Sequence, residues 1–192
     1  MSAPFVLGIG GTTREDSSSE RVLRASLREV EQRGAEVAML AGADLILPLY
    51  APELADRDPK AARLVELVRK ADAIVIASPG YHGSISGMIK NALDYVEDTA
   101  KDDRPYFDGR PVGCIACAYG WQATGSTLIA LRTIVHALRG WPTPLGVAAN
   151  TTLRLFDDDG LCIEPSLAST LSILADQLMH FSRLSRCMET LP

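Results

Sequence analysis

Five consecutive residues, Ala73-Ile74-Val75-Ile76-Ala77, are apolar without interruption. Successive side chains on a strand point to opposite faces, so a strand with one wet face alternates apolar and polar residues. A run that is apolar at every position reads as a strand covered on both faces, the environment of a parallel sheet flanked by helices. The rest of the chain agrees. Strand-like runs at Phe5–Ile9, Glu36–Leu40, Pro111–Ala118 and Thr143–Ala149 alternate with helical patterns at about 17–33, 60–71, 86–97, 124–139 and 165–186. In the first helical pattern Val22, Leu23, Leu27 and Val30 share one face, Arg24, Arg28 and Glu31 lie outside it, and Gly34 stands where a helix stop is expected. Five strands alternating with helices predict an α/β fold, a parallel sheet with helices on both faces.

The 192 residues suit a single domain over 1–192, with the end of the chain from about residue 187 expected to be disordered. A net charge of −5, from 24 acidic and 19 basic residues, lacks the basic surface that nucleic acid requires. No apolar run approaches the ~20 residues of a membrane helix, so no membrane partner is expected. Met1-Ser2-Ala3-Pro4 enters the first strand without a basic segment, unlike a secretory leader. A cytoplasmic location is therefore expected, with the four cysteines as thiols.

Between the first strand and the first helix lies Gly10-Gly11-Thr12-Thr13-Arg14-Glu15-Asp16-Ser17-Ser18-Ser19. Open α/β sheets bind ligands beyond the carboxyl ends of their strands. A helix N-terminus there offers free N–H groups and a partial positive charge, which suit phosphate. A Walker A loop would need Gly-Lys-Ser/Thr, and this loop has no lysine. A dinucleotide fingerprint would need a third glycine where Thr13 stands, and an acidic residue after the second strand, which ends at Leu40. Hydroxyls with one arginine fit a phosphate monoester. The same residues also make a polar turn with Ser17 as N-cap. After the buried strand comes Ser78-Pro79-Gly80-Tyr81-His82-Gly83-Ser84-Ile85-Ser86-Gly87. Proline stiffens such a turn, glycine lets backbone approach a ligand, and Tyr81 supplies an aromatic surface. On its own this is either the wall of a flat-ring site or a plain strand-to-helix connection.

Continued through Met88-Ile89-Lys90-Asn91-Ala92-Leu93-Asp94-Tyr95, the second segment resembles the signature of the NADPH-dependent FMN reductase family. That signature reads Ser-Pro-x-Tyr-Asn-Gly-Ser-x-Pro-Gly, then x-x-Lys-Asn-x-Leu-Asp and an aromatic. The family's first loop, Gly-Ser-x-Arg-x-x-Ser, is similar to Gly11-Thr12-Thr13-Arg14-Glu15-Asp16-Ser17. The resemblance runs from Val6 to about Ala148. It implies a flavodoxin-like three-layer sandwich whose five-stranded parallel sheet has the order 2-1-3-4-5. It implies FMN as cofactor, with Thr12, Arg14, Ser17 and Ser19 on the phosphate. Pro79, Gly80, Tyr81, His82, Gly83 and Ser84 would lie along the ring. Three departures are visible: Thr12 for Ser, which keeps the hydroxyl, His82 for Asn, and Ser86 for Pro. The family also places a glycine-containing loop beside the ring, which adds Gly120 and Trp121; a tryptophan there equally suits a subunit contact.

The implied activity is an NAD(P)H-dependent oxidoreductase that passes electrons from NADPH or NADH through FMN to a small acceptor such as a flavin or quinone. Such chemistry belongs to the flavin, and no catalytic side chain is expected. An electron-carrier flavodoxin and a reductase partner of a flavin-dependent monooxygenase are the rival readings. A homodimer or homotetramer is expected. The helical patterns from Ser86 and Thr124 carry Met88, Ile89 and Leu93, and Leu128, Ile129, Leu131, Ile134, Val135 and Leu138, over more than one face. No metal site is expected. Cys114 and Cys117 sit three apart on a strand and point to opposite faces, and Asp157-Asp158-Asp159-Gly160 reads as a turn. His136 and His180 read as packing or surface residues.

Overall fold

The structure is a computed structural model that describes residues 2–189. Its elements in chain order are β1 (Phe5–Gly10), α1 (Ser18–Gln32), β2 (Glu36–Ala41), α2 (Pro59–Lys70), β3 (Ala73–Tyr81), β4 (Ser84–Ile85), α3 (Gly87–Asp94), β5 (Pro111–Ala118), α4 (Trp121–Ala137), β6 (Trp141–Pro142), β7 (Val147–Asn150) and α5 (Pro165–Glu189). The parallel strands lie in the order β2-β1-β3-β5, with β6 and β7 both on the outer edge of β5.

The uninterrupted apolar run is buried on both sides, as its composition requires. Ile74 and Ile76 of β3 pack with Leu7, Ile9, Leu64, Val68, Ile89, Leu131 and Val135 under α2, α3 and α4. Ala73, Val75 and Ala77 point the other way, into Val22, Leu23, Leu27, Leu171 and Leu174 of α1 and α5. This is the flavodoxin-like sandwich, with the expected order once the short strand β4 is set aside.

Several boundaries differ from the sequence reading; the helix expected over 86–97 ends as α3 at Asp94 and passes into a 3-10 turn over Tyr95–Thr99. The expected fifth strand, 143–149, is two pieces, because between the Val112–Pro142 and Ile115–Val147 pairs the outer chain inserts two extra residues. Pro144 has no N–H for the ladder, and Leu145 N donates to Gln177 Oε1 instead of to a strand (3.0 Å). Helix α4 begins at Trp121, three residues early, capped by Gly120 at φ 107°. Strand β3 continues through Pro79 and Gly80 to Tyr81 and folds back on β4, so the expected loop is a hairpin. Helix α5 continues to Glu189, past the expected start of disorder at 187. Ser185 Oγ donates to Gly109 O (2.8 Å), and Arg186 donates to Ser2 O (2.9 Å) and Ser2 Oγ (2.8 Å), which tie down its last turns. The rest of the expected tail, 190–192, lies outside the described residues.

Among the described residues no helix is long and apolar enough to cross a membrane. None of their His, Cys, Asp and Glu side chains form a group of three or more able to hold a metal ion.

Candidate functional site

The carboxyl ends of β1, β3, β5 and β7 open onto one cleft. The first loop contributes Thr12, Arg14, Ser17, Ser18 and Ser19, the β3 hairpin Pro79, Gly80 and Tyr81, β5 and its loop Cys117, Ala118 and Tyr119, and the chain after β7 Thr151.

The first loop is shaped before any ligand arrives. A Cβ on Gly10 would lie 2.6 Å from Ala77 O, so only glycine lets β1 leave the sheet this close to β3. Gly11 follows at φ 98°. Arg14 N donates to Thr12 Oγ1 (3.1 Å), which closes a local turn. Asp16 sits at φ 53° and is held from two sides: its N–H donates to Glu20 Oε2 (3.2 Å), and its carboxylate accepts from Arg24 (3.2 Å). Arg24 also pairs with Glu20 at 2.6 Å. Ser17 caps α1, accepting from Glu20 N (3.4 Å), and its hydroxyl lies 3.4 Å from that of Ser19. Ser17 is thus the N-cap of α1, and it also lines the cleft. Among the described residues the Arg14 guanidinium has no hydrogen-bond or ion-pair partner. It stands at the mouth of a hydroxyl-lined helix N-terminus.

The second segment is a two-residue hairpin. Gly80 pairs with Ile85 and Tyr81 with Ser84. His82 and Gly83 form the turn at φ 50° and 85°, both left-handed, as a type I′ turn demands. This explains the departure at His82. Asn-Gly is the preferred pair for that turn, and histidine is among the few other residues that tolerate its first position. His82, Gly83 and Ser84 form the exposed tip, while Pro79, Gly80 and Tyr81 line the cleft. Ser78 closes the base, accepting from Ser86 N (3.0 Å) and donating to Pro79 O (2.9 Å). Ser86 in turn caps α3. Gly80 lies flat on α4, where an added Cβ would be 2.5 Å from Thr127 Oγ1.

Gly120 and Trp121 do not line this cleft. They belong to a neighbouring groove with Gly83, Gln122, Ala123 and Ser126. Tyr119, 84% exposed, lines both and stands between them. Sequence reasoning missed Tyr119 and Thr151, although each lies just past the carboxyl end of a strand. Tyr119 thus joins Tyr81 as a second aromatic in the same cleft. Cys117 also lines the cleft, and burial pushes its thiol up to about 12, too high for a nucleophile at neutral pH. Cys114 and Cys117 pack into opposite layers, as their spacing predicts.

The remainder of the motif, Lys90-Asn91-Ala92-Leu93-Asp94, works away from the cleft. Asn91 clamps the segment after β2, accepting from Tyr50 N (2.9 Å) and donating to Pro48 O (2.9 Å). Tyr95 donates to the same Pro48 carbonyl (3.1 Å). Arg57 braces the segment from its far end through a two-pronged pair with Asp98 (2.6 and 2.7 Å).

Comparison with known proteins agrees with these motifs. Residues 4–152 match the family model described as NADPH-dependent FMN reductase. The FMN-dependent NADPH-azoreductase of Staphylococcus aureus (strain USA300) is 35% identical over 97 residues, which are 50% of this chain and 48% of that protein. The Staphylococcus saprophyticus protein of the same description is 41% identical over 92 residues, 48% of this chain and 45% of that one. The chain thus spans about half the length of the curated relatives it matches. A solved flavoenzyme NAD(P)H:(acceptor) oxidoreductase from Paracoccus denitrificans superposes with a TM-score of 0.75 at 23% identity, over 95% of this chain and 99% of that one, and shares the fold. The family model reaches across β1, the first loop, the hairpin and β7, and on that ground the chain belongs to the NADPH-dependent FMN reductase family.

Proposed function

We propose that this chain is a single FMN-binding domain that catalyses the NAD(P)H-dependent reduction of a small acceptor. Bound in the cleft, FMN would relay a hydride equivalent from the nicotinamide to an azo compound, quinone or flavin. The observation that carries the reading is the Arg14 guanidinium, without a partner among the described residues, in one cleft with the hydroxyls of Thr12, Ser17 and Ser19 at the N-terminus of α1. A phosphate monoester satisfies every part of that cradle: the free N–H groups, the hydroxyls and the lone cation. Beside it, Pro79, Gly80 and Tyr81 form a flat wall of backbone and one aromatic ring, which suits the edge of a planar heterocycle. The remaining candidates, His82, Gly83, Ser84, Gly120 and Trp121, would border the ring rather than hold it. The relatives in staphylococci, described as FMN-dependent NADPH-azoreductases, support the same cofactor and an azo acceptor.

Arg14→Ala is expected to weaken FMN roughly 10- to 100-fold, since a charge-assisted hydrogen bond contributes ~1.5–3 kcal/mol. Riboflavin, which lacks the phosphate, should bind the variant as it binds the wild type. Quenching of flavin fluorescence measures both affinities. Equal weakening of the two flavins would remove Arg14 from the phosphate site.

A homodimer or homotetramer in a reducing cytoplasm belongs to the same reading. Leu131 and Val135 are consumed by the core, and Leu128, Ile134 and Leu138 pack against it, so less of α4 is left over than its sequence suggests. Ile129 (70% exposed) and Trp121 (61%) remain in water on that helix and support a subunit contact. Light scattering at micromolar concentration should give at least twice the chain mass of 20.7 kDa, and a fully active monomer would exclude the contact.

A further inference from the structure

Two of the loops that line the cleft are joined by one side chain that no ligand motif contains. Asn150 ends β7, pairs with Ala118 of β5 and is buried (7% exposed). Its side-chain oxygen accepts three hydrogen bonds: from Gly120 N (3.2 Å), from Thr152 N (3.1 Å) and from Thr152 Oγ1 (2.8 Å). The first donor belongs to the loop after β5, the other two to the segment after β7. Between these anchors lie Tyr119 and Thr151, both facing the cleft. The backbone adds two bonds to Ala118 O, from Gly120 N (3.1 Å) and Thr151 N (3.0 Å). Gly120 itself is held at φ 107° and ψ 153°, a conformation open to glycine and little else.

Among the described residues the Tyr119 side chain makes no hydrogen bond. It is the most exposed aromatic of the site and makes no ring contact among the described residues, and it separates the cleft from the groove of Gly83, Trp121 and Gln122. Its place is set by where the two ends of its turn are pinned.

We propose that Asn150 is a positioning residue: its side-chain oxygen locks the loops after β5 and β7 together and so fixes Tyr119 and Thr151 at the ring end of the cleft. This rests on the flavin reading above. The lock bonds Gly120 and Thr152 and takes in neither Arg14 nor the hydroxyls of the first loop, so on the flavin reading its loss disturbs the loops of Tyr119 and Thr151 and leaves the Arg14 cradle intact. Asn150→Ala therefore weakens FMN and riboflavin alike, about 10-fold each, whereas Arg14→Ala separates the two flavins. Asn150→Asp keeps an oxygen that accepts all three bonds and returns most of the affinity for both.

Hydrogen exchange on the flavin-free chain tests the lock without any ligand. In the wild type and in Asn150→Asp the amides of Gly120 and Thr152 should be protected, and in Asn150→Ala both should exchange at least 10-fold faster while the β1 and β3 amides stay slow. Flavin titrations of the same three proteins then test the consequence. Unchanged exchange at Gly120 and Thr152 in Asn150→Ala would overturn the lock. Wild-type affinity for both flavins, a loss confined to FMN, or an Asn150→Asp variant as weak as Asn150→Ala would overturn the positioning role. A wild type that binds neither flavin would instead overturn the reading on which the positioning role rests, leaving the exchange result to judge the lock. Loss of β1 and β3 protection in Asn150→Ala would mark a general loss of fold, and Asn150→Asp then decides between lock and fold.

Discussion

Arg110→Met is expected to lower the unfolding free energy by ~3–5 kcal/mol, the range for breaking a buried charged group's interactions. The side chain is 1% exposed, on the residue just before β5. Its Nε donates to Ala71 O (2.7 Å), one terminal nitrogen to Arg69 O (3.1 Å) and the other to Tyr106 O (2.9 Å). Ala71 is the C-cap of α2 and Arg69 lies in its last turn, so the guanidinium meets carbonyls that the helix itself leaves unpaired. A positive charge at a helix C-terminus also opposes the helix dipole favourably. Tyr106 adds a further demand, because its φ of 54° is costly for a bulky residue and the hydrogen bond helps hold it there. Methionine fills much of the volume and takes the donor from three carbonyls, that of Ala71 buried and those of Arg69 and Tyr106 partly buried, and a buried group left unpaired costs ~1–3 kcal/mol. Arg110→Lys should recover only part of the loss, since one ammonium cannot reach three carbonyls in a planar fan. Urea unfolding followed by tryptophan fluorescence reads the effect. A midpoint for Arg110→Met within ~1 kcal/mol of the wild type would show that the carbonyls find other partners.

How much of this was legible in the sequence depends on the range over which each signal acts. The sandwich was legible because burial on both faces writes itself into consecutive residues, as in Ala73–Ala77. Ser17 and Ser19 were legible because hydroxyls at a helix start have a local reason to be there. The hairpin was not: Pro79 and Gly80 look like strand breakers, and only the paired left-handed residues His82 and Gly83 reveal that the chain turns back instead of running on. Of the six residues that the resemblance placed there, Pro79, Gly80 and Tyr81 line the cleft and His82, Gly83 and Ser84 form the tip. Asn91 sits in the same motif, yet its partners at Pro48 and Tyr50 lie some 40 positions away, so its role as a clamp has no local trace. Asn150 shows the limit most plainly. Nothing near it in sequence distinguishes it from any asparagine at a strand end, and its work depends on Gly120, thirty residues earlier. The break between β6 and β7 had a signal in Pro144, which the apolar pattern around it outweighed.

Gly80→Ala is expected to slow reduction of bound flavin by NADPH about 100-fold while the chain stays folded. The added Cβ would lie 2.5 Å from Thr127 Oγ1 and 3.1 Å from Ala118 Cβ. Thr127 cannot swing aside, because it is fully buried and its hydroxyl donates to Ala123 O (2.8 Å). The hairpin must lift off α4 instead, and it carries Pro79 and Tyr81, the wall of the cleft, with it. Hydride transfer needs donor and acceptor atoms at ~3–3.5 Å, and a displacement of about 1 Å costs on the order of 100-fold in rate. Thr127→Ala removes the clashing oxygen. On its own it should change the rate little, and combined with Gly80→Ala it should restore most of the loss, a coupling expected only of residues in contact. Stopped-flow bleaching of the flavin absorbance measures all four proteins, and far-UV circular dichroism checks the fold. A Gly80→Ala variant that bleaches at the wild-type rate would show that contact with α4 does not position the hairpin. The same experiment judges the rival reading, which the second aromatic at Tyr119 keeps open, since a ring held between Tyr81 and Tyr119 would suit electron exchange at an edge better than stacking of a nicotinamide. If dithionite bleaches the wild-type flavin and neither NADPH nor NADH does so within minutes, the cleft serves an electron carrier and not a reductase.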